Sequence, residues 1–281
     1  MDLFSLGPGS ALVLAFSWMK YDFMRHAFLA ILMICPALSL LGTMVVTNRM
    51  AFFSDALGHA TLTGVALGVL AGLKDPLLGM LAFSLLLAVA IIWSGEKGGS
   101  SEDTVIGVFC SAAVALGVVI LSKGGGFYRY SRYLVGDILA ITPQQLASLA
   151  ALMLMVLLVW LLFFNPLFLT WFNGSVAATR GIRTFWVKTW FAALLALTIT
   201  FSIQWLGILV INALLVLPSA AARNVASTMS SFHLLAVAIG LVGGIIGLIS
   251  SYYMDTATGA TVVVICFLVY LFTLALRWLK N

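Results

Sequence analysis

Apolar runs long enough to cross a lipid bilayer follow one another along almost the whole chain. A transmembrane helix needs roughly 20 mostly apolar residues, and reading between charged residues and Pro/Gly breaks gives about nine such runs. The seventh run is short for a full span, so we expect it to be tilted, broken or partly re-entrant. The nine runs cover approximately residues 26–47, 53–72, 77–94, 104–121, 140–164, 186–202, 205–217, 232–251 and 260–278.

Composition confirms the membrane class. Hydrophobic residues make up 63% of the 281 residues, and charged residues only 8%, whereas soluble domains carry about 25% charge. The apolar runs leave no room for a sizeable soluble domain, so we expect one transmembrane domain over residues 1–281. The first 24 residues contain an apolar stretch interrupted by Gly7, Pro8 and Gly9, and we interpret them as an interfacial helix. The net charge of +5 is small, and in membrane proteins basic residues more often mark loop orientation than a nucleic-acid partner.

The second apolar run contains an acid and an imidazole on one helix face. Positions four apart lie one above another on a helix, so Asp55, His59 and Thr63 form a polar stripe. The neighbouring stripe contains only small residues, which allow close helix packing in membranes: Ala56, Ala60, Gly64 and Gly68. We therefore expect the small stripe to pack against protein and the polar stripe to point into the bundle.

Asp55 and His59 are the candidate site. An aspartate in the middle of a membrane helix costs about 2.5–3.5 kcal/mol, so such a residue is a functional candidate. Carboxylate oxygen with imidazole nitrogen suits Zn(II) or Mn(II). Two ligands make an incomplete site, which suits a transporter that must release its cargo. From the spacing alone, three interpretations stay open: metal handling, an Asp–His hydrogen bond that locks the bundle, and a proton relay.

Other polar residues near the apolar runs are weaker candidates, either for supporting the metal-binding side chains or for gating the path. Asp103 and Asp137 flank apolar segments, and Asp103 is placed as the N-cap of the segment that follows it. Asp255 lies in a turn that is either solvated or close to a docking partner. Asn212 is a polar group inside an apolar run and needs a partner there, either as a link between helices or as part of the path.

Five ordered motifs resemble the permease subunits of bacterial zinc/manganese/iron ABC importers. The first contains the Asp55–His59 pair, and the last has Ala257 where the family often has proline. Together the matches extend from about residue 24 to 278. The motifs are NRMAFFSDALGHATLTGVALG (48–68), DTVIGVF (103–109), YLVGDILAITP (133–143), GILVINALLVLPSAAAR (207–223) and SSYYMDTATGATVVV (250–264).

The resemblance implies an all-α integral membrane protein, a polytopic bundle of about 8–9 transmembrane helices, similar to the cobalamin and siderophore importer permeases. It implies a homodimer, cytosolic ABC ATPase subunits and an extracytoplasmic metal-binding protein as partners, with no permanently bound cofactor. Asp55 and His59 would line the path of transported Zn(II) or Mn(II). The chain itself would not be an enzyme, and it has no GxxxxGK[ST] phosphate loop.

One segment is expected to transmit the ATPase motion. By resemblance, residues 218–231 form a cytosolic coupling helix, and its candidate residues are Pro218, Ser219, Ala220, Ala221, Ala222 and Arg223. Independently, Pro218 ends an apolar run, and SAAARNVAS is small and polar enough for a short interfacial helix. This placement selects the orientation with the amino terminus outside, and with eight of the 14 basic residues in the cytosol: Arg49, Lys97, Arg180, Arg183, Lys188, Arg223, Arg277 and Lys280.

Two rival classes remain. A proton- or ion-coupled secondary carrier would use Asp55 and His59 to relay protons. A membrane metalloenzyme would need more ligands at catalytic spacing than the sequence offers, and no HExxH or GxSxG motif is present.

Overall fold

The fold is a bundle of α-helices. The computed structural model describes residues 17–73, 75–97, 101–123 and 136–280. Short 3₁₀ helices, Ser17–Lys20 and Ile138–Ala140, precede the first and fifth α-helices. The α-helices are α1 (Asp22–Thr47), α2 (Ala51–Leu70), α3 (Pro76–Lys97), α4 (Glu102–Lys123), α5 (Pro143–Phe172), α6 (Gly174–Thr179), α7 (Thr184–Val225), α8 (Met229–Met254) and α9 (Thr258–Lys280).

Eight of these helices, all except the six-residue α6, are long and apolar enough to cross a membrane. Contacts between their ends define two ends of the bundle. At the Arg49 end, Arg223 of α7 donates a hydrogen bond to the Val46 carbonyl of α1 at 3.1 Å. At the opposite end, called the Asp137 end, Tyr21 and Tyr252 bring the start of α1 against the end of α8, with ring centroids 6.1 Å apart.

The long helix α7 folds back on itself at Gly207. A straight helix of 42 residues would be about 63 Å long, twice the hydrocarbon core of a bilayer. Its start lies at the Arg49 end, because Lys188 is 3.7 Å from Glu102 there, and its end lies there as well. Gly207 is the interior residue of α7 outside helical geometry, with φ of 75° and ψ of 163°, a backbone conformation that favours glycine.

The two limbs of α7 correspond to the sixth and seventh predicted runs. The first limb, residues 184–206, is about 34 Å long and the second, residues 208–225, about 27 Å. Both match the thickness of the hydrocarbon core, about 30 Å. The seventh run is therefore the returning limb, and it is broken from the sixth only at Gly207.

Pro218 does not end a helix, contrary to the prediction. It lies inside the second limb of α7, which continues to Val225, so SAAARNVAS begins as the last turns of a long helix rather than as a separate short one. Proline inside a membrane helix is tolerated when neighbouring helices compensate for the lost hydrogen bond. α1 and α5 likewise continue through Pro36 and Pro166.

Helix starts are fixed by hydroxyl caps. Thr142 and Thr228 form capping boxes with Gln145 and Ser231 at the starts of α5 and α8, satisfying backbone N–H groups that have no partner within the helix. The predicted N-cap role of Asp103 is wrong. The Ser101 hydroxyl accepts the Thr104 N–H at 3.3 Å, and Asp103 lies in the first turn of α4, where a negative charge favours the helix dipole.

Burial divides the bundle into centre and rim. Most side chains of α1 and α7 are buried, whereas most of those of α4, α5 and α9 are half-buried or exposed. The rim helices are thus the ones that meet lipid or another protein. The predicted interfacial helix over residues 1–24 lies mostly outside the described residues, of which 17–20 form a 3₁₀ helix and 22–24 belong to α1.

Candidate metal path

Asp55 and His59 lie side by side in the first half of α2, as their spacing predicts. The His59 Nε2 and Asp55 Oδ1 atoms are 3.7 Å apart, which is too long for a hydrogen bond. The interpretation of the pair as a hydrogen-bonded lock is therefore wrong in this structure. Two donors that share a tetrahedral Zn(II) ion at 2.0–2.2 Å would be about 3.4 Å apart, so the observed gap suits a shared ion with little movement.

The small stripe of α2 packs against protein, as predicted. Gly64 lies against α3, and a Cβ atom added to it would be 2.6 Å from the Cα of Met80. Gly68 meets Gly79 in the same way, with the added Cβ 3.4 Å from the Gly79 Cα. Such backbone approach needs small residues on both helices, and it fixes how α2 is rotated.

The polar stripe does not point wholly into the bundle. The side chains of Asp55 and His59 are 48% and 40% exposed in the single chain, and Phe52, one turn earlier, is 69% exposed. Only Thr63 is buried, and its hydroxyl donates a 2.5 Å hydrogen bond to the Ala113 carbonyl of α4. The prediction of an interior position within one chain is therefore wrong for Asp55 and His59, which open onto its surface.

The fold places Asn212, from a distant part of the sequence, next to Asp55. It lies on the second limb of α7, and its Nδ2 donates a 2.6 Å hydrogen bond to Asp55 Oδ1. Its Oδ1 is buried and has no hydrogen-bond partner in the described residues. Asn212 is thus a link between two helices and a neighbour of the candidate site at once. Gly58 faces the same amide: an added Cβ there would be 3.6 Å from Nδ2.

The other predicted carboxylates do not join the pair. Asp103 lies at the Arg49 end, whereas Asp137 and Asp255 lie at the opposite end. Asp137 caps a 3₁₀ helix by accepting the Leu139 N–H at 3.1 Å and borders a cavity of about 250 Å³. Asp255 is an exposed residue in left-handed conformation, with φ of 51°, at the end of α8.

No third ligand completes the pair within one chain. Among the residues that the structure describes, no group of three or more His, Cys, Asp or Glu side chains is placed to hold a metal ion. Further donors to the pair would therefore have to come from outside the single chain or from other residue types.

The predicted coupling residues are mainly buried at the end of α7. Pro218, Ser219, Ala221 and Ala222 are buried, and the Ser219 hydroxyl donates to the Ser39 carbonyl of α1 at 3.1 Å. Ala220 is half-buried. Arg223 is exposed, and so are several positions of the following turn, residues 226–230.

The sequence analysis did not predict a cluster of charged residues at the Arg49 end. Lys188 Nζ, on the first limb of α7, lies 3.7 Å from Glu102 and 4.0 Å from Glu96, and 4.9 Å from the ring centre of Trp171. It ties α7 to the ends of α3 and α5. The available signal was three charges at the ends of apolar runs, but their contact depends on the packing of distant helices.

The family comparison settles which class of protein this is. The ABC 3 transport family matches residues 20–277, nearly the whole described structure. The chain belongs to the ABC 3 transport family. The predicted family is confirmed, and with eight candidate membrane helices among the described residues, within the predicted 8–9, the chain is a multi-pass protein of the bacterial inner membrane.

Relatives of this chain carry names of metal transport systems. It is 34% identical over 229 residues to the high-affinity zinc uptake system membrane protein ZnuB of Haemophilus influenzae, covering 80% of this chain and 86% of that protein. It is 30% identical over 244 residues to the manganese import system permease protein ScaB of Streptococcus parasanguinis, covering 87% of each.

A solved structure has the same fold. The structure of PsaBC from Streptococcus pneumoniae in complex with Fab matches with a TM-score of 0.81 and 25% sequence identity, over 97% of this chain and 99% of that chain. The predicted all-α polytopic fold of an ABC importer permease is thereby confirmed.

Proposed function

We propose that this chain is the permease subunit of an ABC importer for a divalent transition metal ion, zinc or manganese. Its family and the names of its relatives support the transport role. It acts as a transport subunit rather than as an enzyme, and ATP hydrolysis takes place in separate cytosolic subunits. An extracytoplasmic binding protein delivers the ion at the Asp137 end, and the Arg49 end faces the cytosol.

The orientation follows from the proposed coupling role of residues 218–231, which would put the Arg49 end in the cytosol. Eight of the 14 basic residues lie at positions near this end: Arg49, Lys97, Arg180, Arg183, Lys188, Arg223, Arg277 and Lys280. Lysine and arginine concentrate in cytosolic loops, so this small excess agrees with the orientation.

The half-open Asp55–His59 pair is the observation that carries the proposal. A carboxylate that is 48% exposed in the first half of a membrane-spanning helix is costly to place against acyl chains, a cost that reaches about 2.5–3.5 kcal/mol at the centre of a span. A second copy of the chain, placed against this face, would enclose the pair and add another Asp55 and His59. The two pairs would supply four donors, the usual coordination number of Zn(II).

Such a site can bind and release. Each copy contributes one oxygen and one nitrogen donor, and movement of the two copies relative to each other separates the donors. The ion then loses half of its ligands and moves on. Asn212 positions Asp55 throughout, because its hydrogen bond holds one carboxylate oxygen from within the same chain.

Coupling to the ATPase is assigned to the exposed part of the predicted segment. Arg223 and the turn 226–230 present side chains to the cytosolic end, while the buried residues Ser219, Ala221 and Ala222 fix the end of α7 against its neighbours. Arg223→Ala should therefore reduce metal-stimulated ATP hydrolysis in the assembled complex while leaving metal binding intact. Equal stimulation in wild type and variant would remove Arg223 from the coupling surface.

Substitution of the pair tests the function. In vesicles containing the assembled complex, Asp55→Asn and His59→Ala should each abolish ATP-dependent uptake of Zn(II) and Mn(II). Asp103→Asn and His26→Ala, which change the same residue types away from the pair, should leave uptake near wild type. Undiminished uptake in both pair variants would contradict the assigned path. Uptake driven by an ion gradient with the ATPase absent would instead support the secondary carrier.

A further inference from the structure

An apolar groove on the rim of the bundle is not used by the metal path. It lies between α5 and the first limb of α7 and encloses about 350 Å³. All of its lining side chains are apolar, and five of them are aromatic: Trp160, Phe163, Phe164, Trp190 and Phe191. Trp190 is 63% exposed, so the groove opens to the side of the bundle, where it meets lipid.

The groove points toward two arginines at the Arg49 end. Trp190, Leu194 and Leu197 line it at helical spacing, and Arg183 lies seven residues before Trp190, at the start of the same helix. Arg183 is thus about 10 Å closer to the end of the bundle than Trp190. It precedes α7 as N-cap residue without using its side chain for capping, and Arg180 is three residues earlier.

Nothing in the described structure neutralises these two charges. Both arginines are exposed, and neither forms an ion pair within the described residues. The sequence contains no aspartate or glutamate between Asp137 and Asp255. Lys188 lies five residues after Arg183, but it forms ion pairs with Glu96 and Glu102 on another face of α7.

We propose that this groove binds an anionic phospholipid, with one acyl chain lying along α5 and α7 and the phosphate near Arg183 and Arg180. A hydrocarbon chain matches walls without polar groups, and an anionic headgroup matches unpaired guanidinium groups at the membrane surface. The two unpaired charges favour an anionic over a zwitterionic headgroup.

Fluorescence quenching tests the proposal with the full chain. The protein is reconstituted into phosphatidylcholine vesicles that contain a fixed fraction of phosphatidylglycerol, and brominated acyl chains are placed on one lipid or the other. Brominated phosphatidylglycerol should quench tryptophan fluorescence more than an equal amount of brominated phosphatidylcholine, because Trp160 and Trp190 line the groove.

Matched variants locate the effect. Arg183→Gln should lower the preference for phosphatidylglycerol about fivefold, the ratio expected for one basic residue at an anionic surface. Ala193→Phe, which fills the groove, should abolish it. Arg277→Gln, next to the exposed Trp278, and Leu161→Phe, exposed on α5 outside the groove, should retain the wild-type preference.

Two outcomes would overturn the proposal. One is equal quenching by the two lipids in the wild type, which would also result if a second copy covered the groove. The other is an unchanged phosphatidylglycerol preference in Arg183→Gln. Because the Arg183 side chain is exposed, this variant should fold normally. Neither outcome bears on metal uptake, so the proposed function is tested separately.

Discussion

The two faces of α2 differ in what they touch. One face is lined by Gly64 and Gly68 and is sealed against the backbone of α3. The other face presents Asp55 and His59, each nearly half exposed. The sealed face gives α2 one rotation in the bundle, and that rotation leaves the polar face open. Close packing of α2 against α3 therefore determines that the incomplete Asp55–His59 site lies on the surface of the single chain.

Breaking the sealed face should have the largest effect. Gly64→Leu would force a side chain into the backbone of Met80, where even a Cβ is 2.6 Å from the Cα, and overpacking of this kind costs about 3 kcal/mol or more. We expect a large fall in the yield of folded protein and in its thermal unfolding midpoint. Gly107→Leu is the control, because an added Cβ there meets nothing within 4 Å. Similar losses in both variants would show that leucine at any helix glycine is harmful.

Removing the hydrogen bond from Asn212 to Asp55 should have a smaller effect. Asn212→Ala removes the 2.6 Å hydrogen bond to Asp55 and should lower the rate of metal uptake roughly tenfold, the scale of a hydrogen bond to a charged group. Asn224→Ala removes amide contacts to Thr273 and Arg277 instead and should keep uptake within about twofold of wild type, since Asn224 lies about 18 Å further along α7 than Asn212. If Asn212→Ala transports metal at the wild-type rate, the amide is only a link between helices.

The smallest effect is expected for Thr63, the buried residue of the polar stripe. Thr63→Val removes the hydrogen bond to Ala113 of α4 with little change of shape, and interhelical bonds in membranes average about 0.6 kcal/mol. The unfolding midpoint should fall slightly, with uptake unchanged. Thr61→Val is the matched control, because the Thr61 hydroxyl bonds within its own helix to Gly58. Loss of uptake in Thr63→Val would extend the path beyond His59.

Local patterns predicted what a single helix determines. The small and polar stripes of α2 follow from four-residue spacing, and the membrane segments follow from length and apolarity. The capping role was assigned to Asp103 from its place just before an apolar run, and the structure shows that the Ser101 hydroxyl, two residues earlier, makes the bond.

Properties that depend on distant contacts were not predictable in the same way. The turn at Gly207 depends on both limbs of α7 packing in one bundle, and the continuation of the helix through Pro218 depends on support from α1 and α8. The exposure of Asp55 and His59 could not be read from spacing, because a helical pattern defines a face but does not say what covers it.

A structure of the assembled protein in lipid, recorded with Zn(II) or Mn(II) and with the metal located by anomalous scattering, is the most direct test. The account predicts one ion between two copies of the chain, with Asp55 Oδ1 and His59 Nε2 moved from 3.7 Å apart to bonds of about 2.0–2.2 Å with the metal. Acyl chains against both side chains, with the ion bound elsewhere in the assembly, would contradict it.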